Sequence, residues 1–137
     1  MELAEATARE LFTSTPVARL ATAGADQRPH LVPVTFAVDG DRIYTTVDHK
    51  PKRSTNLRRL RNIRENPNVA LLADHYAEDW ATLWWVRVDG TARIVDSDAN
   101  ATRLLREHYA PYGENPPDGP LIVVSAARWT GWSASAR

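Results

Sequence analysis

The chain of 137 residues has no cysteine, a single methionine and only two lysines. The absence of cysteine excludes disulfides, thiolate catalysis and cysteine-ligated metal sites. No apolar run approaches the roughly 20 residues that a membrane-spanning helix needs. The opening residues, MELAEATARELF, are acidic and lack the apolar core of a secretory signal. We therefore expect a cytoplasmic protein without a membrane partner.

An excess of charge of either sign is also lacking, because 17 Lys and Arg balance 17 Asp and Glu. A dedicated nucleic-acid-binding domain is usually strongly basic overall, so we expect no nucleic-acid partner. The length matches the prior for one domain, and we expect residues 1–137 to fold as a single unit.

The sequence motifs of common catalytic sites are missing as well. No HExxH, GxSxG, Walker or GxGxxG pattern occurs. The histidines, at positions 30, 49, 75 and 108, are not spaced like a set of metal ligands. The sequence thus predicts no metal site and identifies no catalytic residue.

The positive charge that is present is concentrated in residues 43–67, IYTTVDHKPKRSTNLRRLRNIRENP. This segment predicts a strand over 43–47, a loop, and a helix from Ser54 or Thr55 to Glu65. Ser and Thr are good helix caps, and Pro67 cannot continue a helix. A cationic loop that enters a helix N-terminus suits a phosphate. The alternative is a basic helix face that is merely solvated.

The remaining patterns predict a mainly β chain with flanking helices. Helices are expected over 2–14 and 97–109, and strands over 17–22, 29–38, 68–76, 82–95 and 121–132. Pro33 indicates a bulge or a sheet edge, Asp39-Gly40 a hairpin and Gly90 a bulge. Residues 110–120 are expected to form a loop. Six strands with mostly short connections predict an antiparallel barrel with helices packed outside it.

All five tryptophans follow residue 79. Trp84 and Trp85 are neighbours in a predicted strand, so one should point into the barrel and the other outward. An outward tryptophan indicates a covering ligand or partner. The alternative is that at least three of the five pack in the core.

Four segments together resemble a known family: RPHxxPVxF at 28–36, YTTVDxK at 44–50, LRRLRNIRENPxVxLL at 57–72 and VDGxARIV at 88–95. They resemble the flavin- and deazaflavin-binding split-barrel oxidoreductases. These are relatives of pyridoxamine phosphate oxidase and include the actinobacterial enzymes that use coenzyme F-420. The resemblance covers nearly the whole chain and implies a six-stranded antiparallel split β-barrel.

The resemblance also implies a homodimer with cofactor sites at the subunit interface and a small-molecule substrate. Two sets of cations fit the family's phosphate-binding pair: Lys50, Lys52 and Arg53, or Arg58 and Arg59. The cofactor ring and its ribityl chain are expected along the backbone of Leu31, Val32, Pro33 and Val34 and the hydroxyls of Thr45 and Thr46. Trp80, Trp84 or Trp85 would approach from the second subunit.

F-420 has a longer anionic tail than FMN, and the seven cations between Lys50 and Arg64 favour F-420. We therefore expect an F-420-dependent oxidoreductase. The alternatives are an FMN-dependent enzyme of the pyridoxamine phosphate oxidase type and a non-catalytic flavin- or deazaflavin-binding protein. The cofactor itself performs hydride transfer, so the missing acid–base pair does not argue against an enzyme.

Overall fold

The structure, a computed structural model, describes residues 1–47 and 57–137. Its elements are α1 (Glu5–Ser14), β1 (Ala18–Ala23), β2 (Pro29–Val34), β3 (Ala37–Asp39), β4 (Arg42–Thr46), α2 (Arg58–Glu65), β5 (Asn68–His75), β6 (Trp84–Val95), α3 (Ala99–His108), α4 (Ala110–Glu114) and β7 (Leu121–Ser133). A short 3-10 helix, Trp80–Thr82, precedes β6. The prediction of a mainly β fold with flanking helices is confirmed.

One antiparallel sheet contains all seven strands in the order β2-β1-β5-β6-β7-β4-β3. Its two edge strands, β2 and β3, are consecutive in the chain and separated only by Thr35 and Phe36. Each residue step spans about 3.8 Å, so the ends of the two edges lie within roughly 11 Å of each other. The sheet must therefore curl until its opposite edges nearly meet.

The strand predicted over 29–38 is two strands, so the sheet has seven strands and the prediction of six is wrong. Val34 pairs with Ala18 at one edge of the sheet, and Ala37 pairs with Tyr44 at the other. A continuous apolar pattern cannot reveal that the chain leaves one edge and joins the opposite one. Pro33 lies in an edge strand, as its missing N–H predicted.

Two helix predictions also need correction. Leu57 is extended, so α2 begins at Arg58 and not at Ser54 or Thr55. The expected loop at 110–120 contains α4, where Pro111 occupies the first turn, a position that proline tolerates well. In contrast, the predicted cap of α3 is confirmed, since Asp98 accepts a hydrogen bond of 3.0 Å from the Ala101 N–H.

Two apolar clusters lie on opposite sides of the curled sheet. The main core fills the inside of the curl and includes Phe12 of α1 and Leu60 of α2. The second cluster lies outside, where α3 and α4 cover β3, β4 and the start of β7. Because neighbouring strand residues point to opposite faces, Ile43 packs in the main core and Tyr44 in the outer cluster.

Both predicted backbone irregularities are confirmed. Gly40 has a φ of 59° in the hairpin that joins β3 to β4. The pairing of β6 with β7 shifts register between Asp89 and Gly90. A Cβ at Gly90 would overlap the Ser125 carbonyl oxygen, so this bulge requires glycine. Within the described ranges, no helix is long and apolar enough to cross a bilayer.

Candidate functional site

A cavity of about 200 Å³ lies at the point where the chain crosses from β2 to β3. Residues from the segment before β1, from β2 and its crossing, from β4 and from α2 line it. They are Val17, Pro33, Val34, Thr35, Thr46 and Arg59. The fold thus brings together three segments that the sequence proposed for one site: the Pro33 strand, the threonine pair and the basic helix.

The strand β2 gives this cavity a backbone wall. Among the described strands this sheet edge pairs with β1 alone, so the hydrogen-bonding groups on its other side are free of that ladder. Pro33 and Val34 line the cavity, whereas Val32 packs towards the main core. Leu31 is 67% exposed and faces away from the cavity, on the outer surface of the sheet.

The start of α2 gives the cavity its positive charge. Leu57 caps this helix without a side-chain hydrogen bond, and the first turn has no acidic residue. Partial positive charge from the helix dipole and two arginines therefore coincide, an arrangement that an anion would stabilise. Arg59 lines the cavity, whereas Arg58 points to the β1–β2 turn and lies 3.7 Å from the Asp26 carboxylate.

The two threonines at the end of β4 have different positions. Thr46 lines the cavity, and within the described residues its hydroxyl makes one long hydrogen bond, of 3.4 Å to the Val47 carbonyl. Thr45 points to the opposite face and donates to the Thr35 carbonyl oxygen at 2.8 Å. Only Thr46 can therefore meet a ligand in the cavity, while Thr45 holds the crossing from behind.

A tyrosine hydroxyl from the end of α3 also holds this crossing. The phenol oxygen of Tyr109 accepts from the Phe36 N–H at 3.0 Å, and it lies 3.0 Å from the Phe36 carbonyl and 2.9 Å from that of Pro16. Burial raises the pKa of Tyr109; the Phe36 hydrogen bond opposes the rise, and Tyr112 adds to it. The phenol is thus neutral at ordinary pH and can keep both roles, as donor and as acceptor.

The tryptophan predictions separate in the structure. Trp84 is buried in the main core and is not available to a partner's ligand, whereas Trp85 points outward, as alternation predicted. Trp80 is 70% exposed. Trp129 is the other tryptophan in the core, so the alternative of three or more core tryptophans is wrong.

The outer surface of β2, β1, β5 and β6, which we call the bare face, carries a second cavity of about 500 Å³. Large apolar side chains line it beside charged ones. Its main residues are Arg19, Leu31, Leu72, Asp74, Tyr76, Trp85 and Arg87. Trp132 of β7 pairs directly with Trp85 and extends the apolar surface. Single exposed apolar residues are normal on a protein surface, but these side chains form a continuous apolar patch.

Lys50, Lys52 and Arg53 lie outside the described residues, so their role as the alternative phosphate set stays a prediction. In residues 1–47 and 57–137, no three His, Asp or Glu side chains are grouped as a metal site would require.

Sequence comparison agrees with this architecture. The sequence profile of the family described as pyridoxamine 5'-phosphate oxidase matches residues 4–133. The chain belongs to this family of flavin-binding split-barrel oxidoreductases. The split-barrel prediction is thereby confirmed, apart from the strand count.

One relative of the chain is a reductase. A 5a,11a-dehydrotetracycline/5a,11a-dehydrooxytetracycline reductase of Streptomyces rimosus is 33% identical over 86 residues. The match covers 62% of this chain and 59% of the reductase, so the chain spans less than two thirds of that enzyme.

Solved structures of the same fold cover nearly the whole chain. A FAD-binding protein from Mesorhizobium loti has a TM-score of 0.70 at 20% identity, over 96% of this chain and 95% of its own. A FAD-binding protein from Mycobacterium smegmatis has a TM-score of 0.65 at 21% identity, over 96% and 97%. At these identities the likeness concerns the fold.

The sequence did not single out three residues of the site in this split barrel. Val17 and Thr35 line the cavity, and Tyr112 contacts Thr35 from α4. The sequence signal that could have identified Thr35 is its position as the polar residue in the apolar run PVTFAV. No local pattern connects Tyr112, which is 77 residues away, to that position.

Proposed function

We propose that this chain is an oxidoreductase that binds a flavin-type cofactor, and that F-420 is that cofactor in preference to FMN. It would transfer hydride between the reduced coenzyme and a small organic substrate. The observation that carries the proposal is the cavity in which Arg59, the start of α2, Thr46 and the free edge of β2 converge.

The donor set fits the acidic end of such a cofactor. A phosphate needs a cation and N–H donors; the first turn of α2, where Leu57 gives no side-chain cap, offers the N–H groups, and Arg59 offers the charge. Thr46 adds a hydroxyl whose only described bond is long. Val17 and Pro33 add apolar surface to the cavity, but both are exposed, so a covering partner would be needed to exclude water and strengthen these polar contacts.

The ring of the cofactor would lie along β2. Backbone N–H and C=O groups on the free side of an edge strand can pair with the amide groups of a flavin-like ring, as they would with another strand. When bound, the cofactor supplies the hydride chemistry. The chain's own residues would hold its phosphate and orient its ring.

The size of the cavity supports a dimeric site. Binding sites for whole cofactors usually enclose about 300–1,000 Å³. The cavity at the β2–β3 crossing has about 200 Å³, enough for part of a flavin. We propose that a second copy of the chain covers the rest and docks through the bare face. Arg19 and Asp74 place opposite charges on that face, where a two-fold related copy could pair them, whereas Arg87 and Asp89 already form an ion pair of 3.1 Å within one chain.

The preference for F-420 rests on charge. Of the four arginines in α2, Arg59 lines the cavity, and Arg61 and Arg64 are exposed on the same short helix. A coenzyme with an extended anionic tail could use such exposed cations, whereas one terminal phosphate could not reach them all. The similarity to the reductase of Streptomyces rimosus supports a reductive role.

Cofactor titration tests the proposal. Purified protein is examined for flavin absorption, then titrated with F-420 and with FMN while tryptophan fluorescence is recorded. We expect saturable quenching and tighter binding of F-420; tighter binding of FMN would shift the proposal to an FMN enzyme. Absence of binding by both would overturn it.

Two further measurements separate the remaining alternatives. Sedimentation should give a dimer at micromolar concentration, and a strict monomer would contradict the shared site. Oxidation of F-420H2 by an added acceptor with a conjugated double bond should be accelerated. Tight binding without turnover of any such acceptor would instead favour a non-catalytic binding protein.

A further inference from the structure

The crossing between the two sheet edges depends on hydroxyl groups for its position. Thr35 and Phe36 belong to neither β2 nor β3, so the sheet ladder does not hold them. Instead, Tyr109 bonds both backbone groups of Phe36, and Thr45 bonds the Thr35 carbonyl. The cavity wall at this crossing is therefore set by side chains that come from other elements.

Tyr112 makes the contact that bears directly on the cavity. Its phenol oxygen lies 2.8 Å from the Thr35 hydroxyl, and Tyr112 is only 7% exposed. Thr35 lines the cavity and Tyr112 does not. We infer that Tyr112 is a positioning residue for the cofactor site and acts through the Thr35 hydroxyl; this inference rests on the proposed function.

The donor in the contact between Tyr112 and Thr35 decides where the Thr35 hydroxyl proton points. Either hydroxyl can donate at this distance, and the greater acidity of the phenol favours Tyr112 as the donor and Thr35 as the acceptor. The Thr35 proton is then free to be donated to an acceptor in the cavity. Without the phenol, the threonine hydroxyl can rotate and lose this orientation. Tyr112 thus converts Thr35 into a pre-oriented donor for an oxygen of the cofactor.

The arrangement also links the outer helices to the site. Tyr112 packs in the cluster between the sheet and the α3–α4 segment, far from Thr35 in sequence. Packing of α4 therefore fixes where the phenol lies, and the phenol fixes the threonine. The helices α3 and α4, which cover the outer side of the sheet, therefore also hold one wall of the cavity.

Tyr112→Phe tests the inference, with Tyr44→Phe as its matched control. Tyr44 is 1% exposed in the same cluster, and its phenol oxygen accepts a bond of 3.3 Å from Asn100, which does not line the cavity. Both variants lose one buried phenol hydroxyl. Their Tm values and their Kd values for F-420 and FMN are measured well below Tm, together with the visible spectrum of the bound cofactor.

We expect Tyr112→Phe to weaken the binding of the preferred cofactor about 5- to 10-fold, which is the effect of one net hydrogen bond. Tyr44→Phe should stay within about twofold of wild type at a similar loss of Tm. Thr35→Val should weaken binding as much as Tyr112→Phe, and the double variant no more than either. The absorption maximum of the bound cofactor should shift in Tyr112→Phe and in Thr35→Val, and it should not shift in Tyr44→Phe.

The outcomes distinguish the inference from the function on which it depends. If wild type binds a cofactor and Tyr112→Phe binds it equally well, the positioning role is wrong and the proposed function stands. An equal loss of cofactor affinity in Tyr44→Phe would also overturn the positioning role, because lower stability of the fold would then explain the weaker binding. A wild-type chain that binds neither cofactor overturns both.

Discussion

The outer surface of the sheet is covered in one half and bare in the other. Over β3, β4 and the start of β7, α3 and α4 bury Tyr44, Leu121 and Val123. Over β2, β1, β5 and β6, no helix of the described residues covers the surface, yet Leu31 and Leu72 are exposed there at 67% and 39%. The described helices thus cover one half of the outer surface and leave the other half exposed.

The comparison explains where the candidate site lies. The chain crosses from the bare half to the covered half through Thr35 and Phe36, and the cavity is at that crossing. A ligand there would meet side chains of the covered half, while a second copy on the bare face could complete its other side. Each half can be perturbed separately.

The largest expected effect comes from a charge in the bare face. Leu31→Asp should dissociate the proposed dimer, because each two-fold interface would bury two unpaired carboxylates at several kcal/mol each. Sedimentation should show monomer at micromolar concentration, with a loss of cofactor affinity. Ala6→Asp, an exposed position on α1, is the control and should remain dimeric. A dimer in Leu31→Asp would mean that the bare face is not the interface.

The next effect should come from the covered half. Leu105 of α3 is fully buried, so Leu105→Ala should lower the free energy of unfolding by about 2–5 kcal/mol. Chemical denaturation measures this, and Leu104→Ala, at a partly buried neighbour, should cost less. Equal costs at both positions would show that α3 does not pack as described.

The third effect concerns the crossing between the halves. Arg59→Ala should weaken cofactor binding by about 1.5–3 kcal/mol, a roughly 10- to 150-fold rise in Kd, because a charged hydrogen bond is lost. Arg103→Ala removes the same charge from an exposed position on α3, away from the cavity and from α2, and should change Kd little at moderate salt. Similar losses in both variants would reduce the role of Arg59 to a contribution to the overall charge.

The smallest effect is a pH dependence at Tyr109. Burial raises the pKa of this phenol above its ordinary value of 10.0, so the folded chain holds the proton more tightly than the unfolded chain. The stability from this group is present below about pH 10 and is lost as pH rises through the folded pKa. The stability difference between wild type and Tyr109→Phe should therefore shrink above about pH 10, as measured by urea denaturation. A constant difference would contradict the burial of the phenol.

The sequence indicated the parts of the site more reliably than their arrangement. Thr46 and Arg59 were both candidates, and both line the cavity. Their neighbours Thr45 and Arg58 were equally good candidates, but they point elsewhere. Adjacent residues in a strand or helix differ in direction, and only the position of the whole element decides which one faces a ligand.

The sequence by itself determined the family, the mainly β character, the glycine bulge and the basic helix that ends before Asn66-Pro67. These features depend on the conformational preferences of individual residues and on short sequence motifs. Tertiary structure alone decided that the 29–38 run divides between two sheet edges, that Tyr112 meets Thr35, and that half of the outer surface stays bare. Such features depend on which strands, distant in sequence, pair with each other. The alternation of apolar and polar residues along one strand does not show which strands lie beside it.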